Sequence, residues 1–254
     1  MCGRVNPGLW GFGPALRQWG REFGFSQLVV GACVTLWLVT LLMSNNIGGG
    51  GSLLNALAPS NEVLFLFGAT SPRIVFEAGR WWTVLSAGWL HFGLLHIAMN
   101  MYWVWQMGPS ITELFGSART VIIYTVGGVA GFVLSVLVAR FFPFLPFAPL
   151  GLTAGASAPV FGLIGALYHY GRTNSAVKQL AVSIVVQSVI FGLIMAGSIN
   201  NYAHLGGFIG GYLVSAFLNP MTRERGDHTI VALVCLVLSA LSVVASIVTG
   251  LKYL

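Results

Sequence analysis

Seven stretches of the chain are apolar over most of their length, and the polar residues collect between them. An α-helix crossing the roughly 30 Å hydrocarbon core of a bilayer needs about 20 such residues. The stretches near that length predict helices at about Phe25–Met43, Leu94–Ile111, Thr120–Phe141, Ser157–Tyr170, Gln179–Ala196, Asn201–Leu218 and Thr229–Leu251. The fourth is short for a full span, which is tolerated where the start of a helix lines a wet cavity below the membrane surface. The first is not read as a cleaved signal peptide, because no small-residue cleavage site follows it and the next residues are Ser44, Asn45 and Asn46. Two connections are long. Ser44–Gly93 holds a glycine tract, Gly48–Gly51, and two apolar stretches, Leu53–Leu57 and Val63–Phe67, too short to span and suited to the interface. Phe142–Gly155 is rich in Pro, Phe and Gly. Neither a second domain nor a low-complexity tail is evident.

Composition agrees with this pattern. The 254 residues are 56% hydrophobic and 7% charged, with a mean hydropathy of +0.84, whereas a soluble domain carries about 25% charged residues. The chain is therefore read as an all-α membrane protein. Its 33 glycines suit helices that pack closely in lipid. The net charge of +6 comes from dispersed residues, so nucleic acid is not an expected partner. The basic residues speak instead to orientation. With the N-terminus in the cytoplasm, the inner segments hold Arg4, Arg17, Arg21, Arg119, Arg172, Lys178, Arg223 and Arg225, and the outer ones only Arg73, Arg80, Arg140 and Lys252. Cys2, Cys33 and Cys235 form neither a zinc pattern nor a disulfide framework.

Polar groups inside a membrane are costly and point to function. Glu22, Glu62, Glu77, Glu113, Glu224 and Asp227 all fall in loops or at span edges. No proton relay of carboxylates, no paired-carboxylate hydrolysis, no complete Ser-His-Asp triad and no helical H-E-x-x-H zinc site is available. What remains is His91, His96, Asn100, Ser157, His169 and His204. The second, fourth and sixth spans run in the same direction, so His96, Asn100, Ser157 and His204 share one depth near the outer face. His169 falls at the opposite end and reads as structural.

Each local pattern is weak alone. Gly155-Ala156-Ser157-Ala158 opens a helix after a Gly/Pro-rich loop. A serine there has a free backbone N–H and the positive end of the helix dipole, both suited to an oxyanion, but such motifs mostly serve packing or capping. His96 and Asn100, four apart, share a helix face and alone would read as interhelical polar glue. Phe161, four after Ser157, can stack on His204 and fix its plane, the task of a carboxylate in a triad. Ala158, Gly162 and Ala166 in the fourth span and Ala203, Gly207, Gly211 and Ser215 in the sixth form small stripes that allow close backbone approach.

Taken together these residues resemble the rhomboid proteases, from about Gly68 to Gly211. The matching pieces are Gly79-Arg80-Trp81-Trp82, His91-xxxx-His96-xxx-Asn100, Glu113-xx-Gly116-xx-Arg119, Gly155-Ala156-Ser157 and Ala203-His204-xx-Gly207-xxx-Gly211. The resemblance implies a rhomboid-like six-helix core over residues 25–218, after a cytoplasmic segment 1–24 and before a loop and additional seventh transmembrane helix in 219–254. It implies a Ser157–His204 dyad and oxyanion donors at His96, Asn100 and the Ser157 amide, with no metal or cofactor. The expected substrates are transmembrane proteins. The expected location is a multi-pass position in a lipid bilayer, a bacterial cell membrane in this reading, with the active site opening to the extracytoplasmic side. Thr83 stands where the family usually has an arginine after tryptophan, and Phe161 stands where tyrosine is frequent. Pro159 suits a first helical turn, which does not need its N–H. Two rival readings are an inactive rhomboid-like protein that binds membrane proteins, whose mark would be loss of Ser157 or His204, and a transporter with His204 in its path, which predicts repeated halves with broken helices.

Overall fold

The computed structural model describes residues 24–45, 56–194 and 199–253. Among them the helices are α1 (Phe25–Leu42), α2 (Asn61–Phe67), α3 (Pro72–Phe76), α4 (Thr83–Ser86), α5 (Leu94–Phe115), α6 (Ser117–Phe141), α7 (Ser157–Tyr170), α8 (Ser175–Ile194), α9 (Asn201–Ser215) and α10 (Gly226–Gly250). A 3-10 turn, Ala87–Trp89, follows α4, and another, Leu251–Tyr253, ends the described chain. The β contact among the described residues is a single bridge, Thr70 to Thr153. The protein is an all-α membrane protein.

Seven helices stand where the apolar stretches predict them, with shifted ends. The second runs on from Ile111 to Phe115, and the third begins at Ser117. Gly116 makes the turn between them at φ 89°, and a methyl group on it would meet the Glu224 carboxylate at 2.6 Å. The fifth begins earlier, at Ser175, and the sixth stops at Ser215. The tract Gly48–Gly51, most of Leu53–Leu57, most of the segment 1–24 and the predicted end of the fifth span lie outside the described residues. Val63–Phe67 forms most of α2, capped at its start by the Ser60 hydroxyl and ended by Gly68 in the left-handed region. Helices α1 and α6 and the stretch Gly226–Tyr253 are long and apolar enough to cross a membrane, and Thr83–Trp89 with Leu94–Phe115 makes a pair bent by 90°. With 14 residues in α7 and 15 in α9, a rise of 1.5 Å per residue makes them only about 21 and 22 Å long.

Apolar surface gives helices no reason to associate in lipid, so packing rests on close approach and hydrogen bonds. Helices α6, α7 and α9 meet along glycines. A methyl on Gly127 would lie 2.6 Å from the Gly162 Cα, and one on Gly131 would lie 2.8 Å from the Ala158 Cβ. Gly207 faces the Ala158 carbonyl, and Gly211 faces that of Gly162. Helix α7 is central, touching α5, α6, α8 and α9. Helix α1 packs on α5, where Ser26 Oγ donates to the Val104 carbonyl at 3.1 Å.

Helix α10 packs on α2, α4 and α6. Its buried residues are Ala232, Ser239, Ser242, Ser246 and Gly250, while Val234, Val237, Leu238, Leu241, Val244 and Val248 face outward. Buried arginines sit at its two ends. Arg119 Nη1 and Nη2 donate to the carbonyls of Asn219 and Thr222 at 2.8 and 2.9 Å, and Nε donates to His228 Nδ1 at 3.2 Å. Arg80 lies at the other end.

Candidate active site

The starts of α5 and α9 both reach the start of α7: His96 lies beside Gly155, and His204 lies against Phe161. The segment entering α7 is extended and held at successive residues. Thr153 exchanges two backbone hydrogen bonds with Thr70, at 2.7 and 2.9 Å. Gly155 N–H donates to the Ala87 carbonyl at 2.9 Å, and Ala156 N–H donates to His91 Nε2 at 3.3 Å. Gly155 has φ 132°, and a methyl there would lie 2.7 Å from His96 Nε2 and 3.8 Å from Ser157 Oγ. Only glycine adopts this backbone without strain, and its missing side chain leaves a small space that His96 and Ser157 both border.

Ser157 is the first residue of α7 and is partly exposed. The first N–H groups of a helix lack internal partners, and Ser157 N–H has no backbone acceptor among the described residues. His96 lies in the first turn of α5. The Phe92 N–H donates to His96 Nδ1 at 3.3 Å, so the neutral ring carries its proton on Nε2. The His96 ring is further held by stacking on Phe92, 6.0 Å and 15° away, and by an edge contact with His91 at 5.1 Å. A donor N–H is thereby presented at the space beside Ser157. Asn100, one turn on, is buried and gives one amide hydrogen to the His96 carbonyl at 2.9 Å. An amide nitrogen carries two.

His204 lies in the first turn of α9. Its ring stacks on Phe161, one turn below Ser157, with centroids 4.2 Å apart and planes 8° from parallel. Asn200 caps α9: its Oδ1 accepts from Ala203 N at 3.0 Å. Its Nδ2 donates to Ser135 Oγ at 2.6 Å and to Thr153 Oγ1 at 3.4 Å. One side chain so joins the start of α9 to α6 and to the segment entering α7. Among the described residues no hydrogen bond joins His204 to Ser157. His169 is at the far end of α7, edge-on to Tyr212 at 5.0 Å.

The hydrogen bonds give His91, already among the polar candidates, a partner in Ala156 N–H, and they add one residue not read from the sequence, Asn200, which caps the helix that carries His204. The signal for Asn200 was present: an asparagine directly before a helix start is a favoured cap. Among the described residues no three His, Cys, Asp or Glu side chains gather where they could share a metal ion.

A family profile described as Rhomboid domain matches residues 78–221. The rhomboid protease GluP of Bacillus subtilis (strain 168) is 30% identical over 192 residues, covering 73% of this chain and 36% of that protein. RHOMBOID-like protein 7 of Arabidopsis thaliana is 31% identical over 167 residues, covering 64% of this chain and 50% of that protein. Inactive RHOMBOID-like protein 8 of the same plant is 31% identical over 158 residues, with 60% of this chain and 42% of that protein covered. The chain spans half or less of the length of these three relatives. Ser157, His204, His96, Asn100 and Phe161 all lie inside the matched profile, and the chain belongs to the rhomboid family.

Proposed function

We propose that this chain is an intramembrane serine protease that cuts other membrane proteins in or near a transmembrane segment. The observation that carries the proposal is the arrangement around Gly155. A hydroxyl at a helix N-terminus and an imidazole N–H donor border one small space, and a second imidazole is held flat one turn away. In this reading His204 accepts the Ser157 proton as Oγ attacks the substrate carbonyl carbon. The oxyanion is held by Ser157 N–H, His96 Nε2–H and the second amide hydrogen of Asn100. His204 then protonates the leaving amine, and water from the outer side hydrolyses the acyl-enzyme. The Ser157–His204 hydrogen bond forms in the substrate complex, since catalytic hydrogen bonds are often long before substrate binds. Phe161 fixes the imidazole plane.

A peptide bond in a helix is shielded, so the favoured substrates carry small or helix-breaking residues near the outer end of the span. The N-terminus lies in the cytoplasm and the start of α7 opens to the extracytoplasmic side, as the basic residues favour. An inactive binding protein is the alternative that the likeness to an inactive relative brings forward. The presence of both Ser157 and His204 speaks for the protease. The test is cleavage of a reporter transmembrane substrate in proteoliposomes. Ser157→Ala and His204→Ala are expected to abolish it while the protein still folds, and a fluorophosphonate should label Ser157. Full activity in either variant would sink the mechanism.

A further inference from the structure

Helix α4 touches the segment entering α7 by two routes. Ala87, directly after α4, accepts from Gly155 N–H at 2.9 Å. Thr83, the first residue of α4, shares a 3.0 Å hydrogen bond with Thr70 Oγ1, and Thr70 is the backbone partner of Thr153.

Helix α4 packs on α10, and two side chains just before α4 hydrogen-bond to one residue of α10, Ser246. Arg80, 1% exposed, donates from Nη2 to the Ser246 carbonyl at 2.7 Å and to the Phe65 carbonyl at 3.2 Å. Its guanidinium lies 4.4 Å over the Phe65 ring. Trp82 Nε1 donates to Ser246 Oγ at 3.2 Å. Close approach at this level depends on two glycines. A methyl on Gly68 would lie 2.9 Å from Ser246 Cβ, and one on Gly250 would lie 2.9 Å from Leu66 Cδ1.

The arginine expected at position 83 is a threonine, whose hydroxyl donates to the Arg80 carbonyl at 2.8 Å. A guanidinium three residues earlier makes the link to α10. Among the described residues it does so without a carboxylate, and Nε and Nη1 have no protein partner there. A buried, incompletely paired cation contributes little to stability, and an apolar side chain of similar volume often does as well or better. What the planar guanidinium adds is a fixed direction.

We propose that Arg80, Trp82 and Ser246 are positioning residues: they fasten α4 to α10 and so hold the segment Gly155 to Ser157 with Ser157 facing His96. The inference rests on Ser157 being the nucleophile. The seventh span is then a working part of the protease.

The test uses the full chain in proteoliposomes. It measures kcat and KM on the reporter substrate and the rate of fluorophosphonate labelling at Ser157, both per folded molecule, with the melting temperature taken on the same preparation. Arg80→Met should lower kcat and labelling rate together by about ten- to a hundredfold, as small misplacements of reacting groups do. KM should stay within about twofold and the melting temperature should hold, since the misplacement acts in the transition state. Arg80→Lys, which keeps one donor, should recover part of the loss. Trp82→Phe and Ser246→Ala are milder and keep the fold. Each should lower kcat, and the double variant should be no worse than either alone, because both break one hydrogen bond. The inference is overturned if Arg80→Met, or the two milder variants where Arg80→Met does not fold, leave kcat and labelling rate at wild-type values. It is also overturned if the two milder effects add. Ser157→Ala separates this from the broader reading: cleavage by that variant removes the protease proposal, whereas strict dependence on Ser157 with no effect at Arg80, Trp82 or Ser246 removes only the role of α10.

Discussion

Helix α7 is bordered by the two helices that follow it, and it meets them in opposite ways. Against α9 the contact is backbone to backbone: Gly162 faces Gly211, Ala158 faces Gly207, and Gly165 faces Phe208. Helix α8 packs on α7 through Ala181 and Ile184, with no glycine seam between the two helices, and among the described residues its other face is exposed. Ala181 and Ile184 are buried, while Gln179, Ser183 and Gln187 are exposed at four-residue spacing. The helices that carry Ser157 and His204 are the ones locked by glycine, and the helix between them in sequence is not. The proposed pair of reacting groups needs fixed geometry to within a fraction of an ångström, and close glycine packing would supply it without help from the surrounding lipid.

The contrast can be broken most severely in the glycine seam. A methyl on Gly162 would lie 2.8 Å from the Gly127 Cα and 3.2 Å from the Ile123 carbonyl oxygen, and backbone cannot step aside as a flexible side chain can. Gly162→Leu should cost more than about 3 kcal/mol and yield no cooperative melting transition in detergent. A wild-type melt would refute the seam.

One level closer to the chemistry, Gly155→Ala should fold and lose turnover by about a hundredfold or more. The new methyl takes the space between His96 Nε2 and Ser157 Oγ and strains a backbone at φ 132°. Steady-state kinetics on the folded fraction checks this. Asn100→Ala should lower kcat by roughly a hundredfold through loss of one oxyanion donor, with little change in KM. Its effect on melting should be modest, because a side-chain hydrogen bond in a membrane protein averages about 0.6 kcal/mol. The reverse pattern, an unstable protein with normal turnover, would make Asn100 packing glue.

Smaller effects sharpen the comparison. Phe161→Leu removes the flat surface under His204. If the stack is worth about 0.5–1.5 kcal/mol, turnover falls by roughly two- to tenfold, and Phe161→Tyr should restore it. Gln187→Leu on the open face of α8 should change stability by no more than about 0.5 kcal/mol and leave turnover within twofold. A large loss there would mean that α8 is as fixed as α9.

The fold was legible because lipid allows few solutions. A chain with so little charge must close its backbone hydrogen bonds within helices, so apolar length located all seven long helices to within a few residues. Helices α3 and α4 escaped notice, since five and four residues carry no periodicity and are defined by tertiary contacts. Of the candidate site, the sequence supplied the residue types and their spacing. It could not supply the proton position on His96, which depends on the Phe92 N–H, or the bond from Ala156 to His91. Nor could it indicate that Arg80 reaches α10, because that hydrogen bond spans 166 residues of chain and no local pattern reports such a distance.

That separation has a consequence for biosynthesis. At about 5–20 residues per second, roughly ten to thirty seconds pass between the synthesis of Arg80 and that of Ser246. In the course of this interval the helices bearing Ser157 and His204 are made, the second of them only near its end, while the first loop still lacks its contact with α10. A ribosome-bound chain halted before α10 therefore holds Ser157 and His204 without the hydrogen bonds that join Arg80 and Trp82 to Ser246. On the proposed function, completion of the seventh span would separate insertion of the chain from the onset of proteolysis in a membrane full of other newly inserted helices.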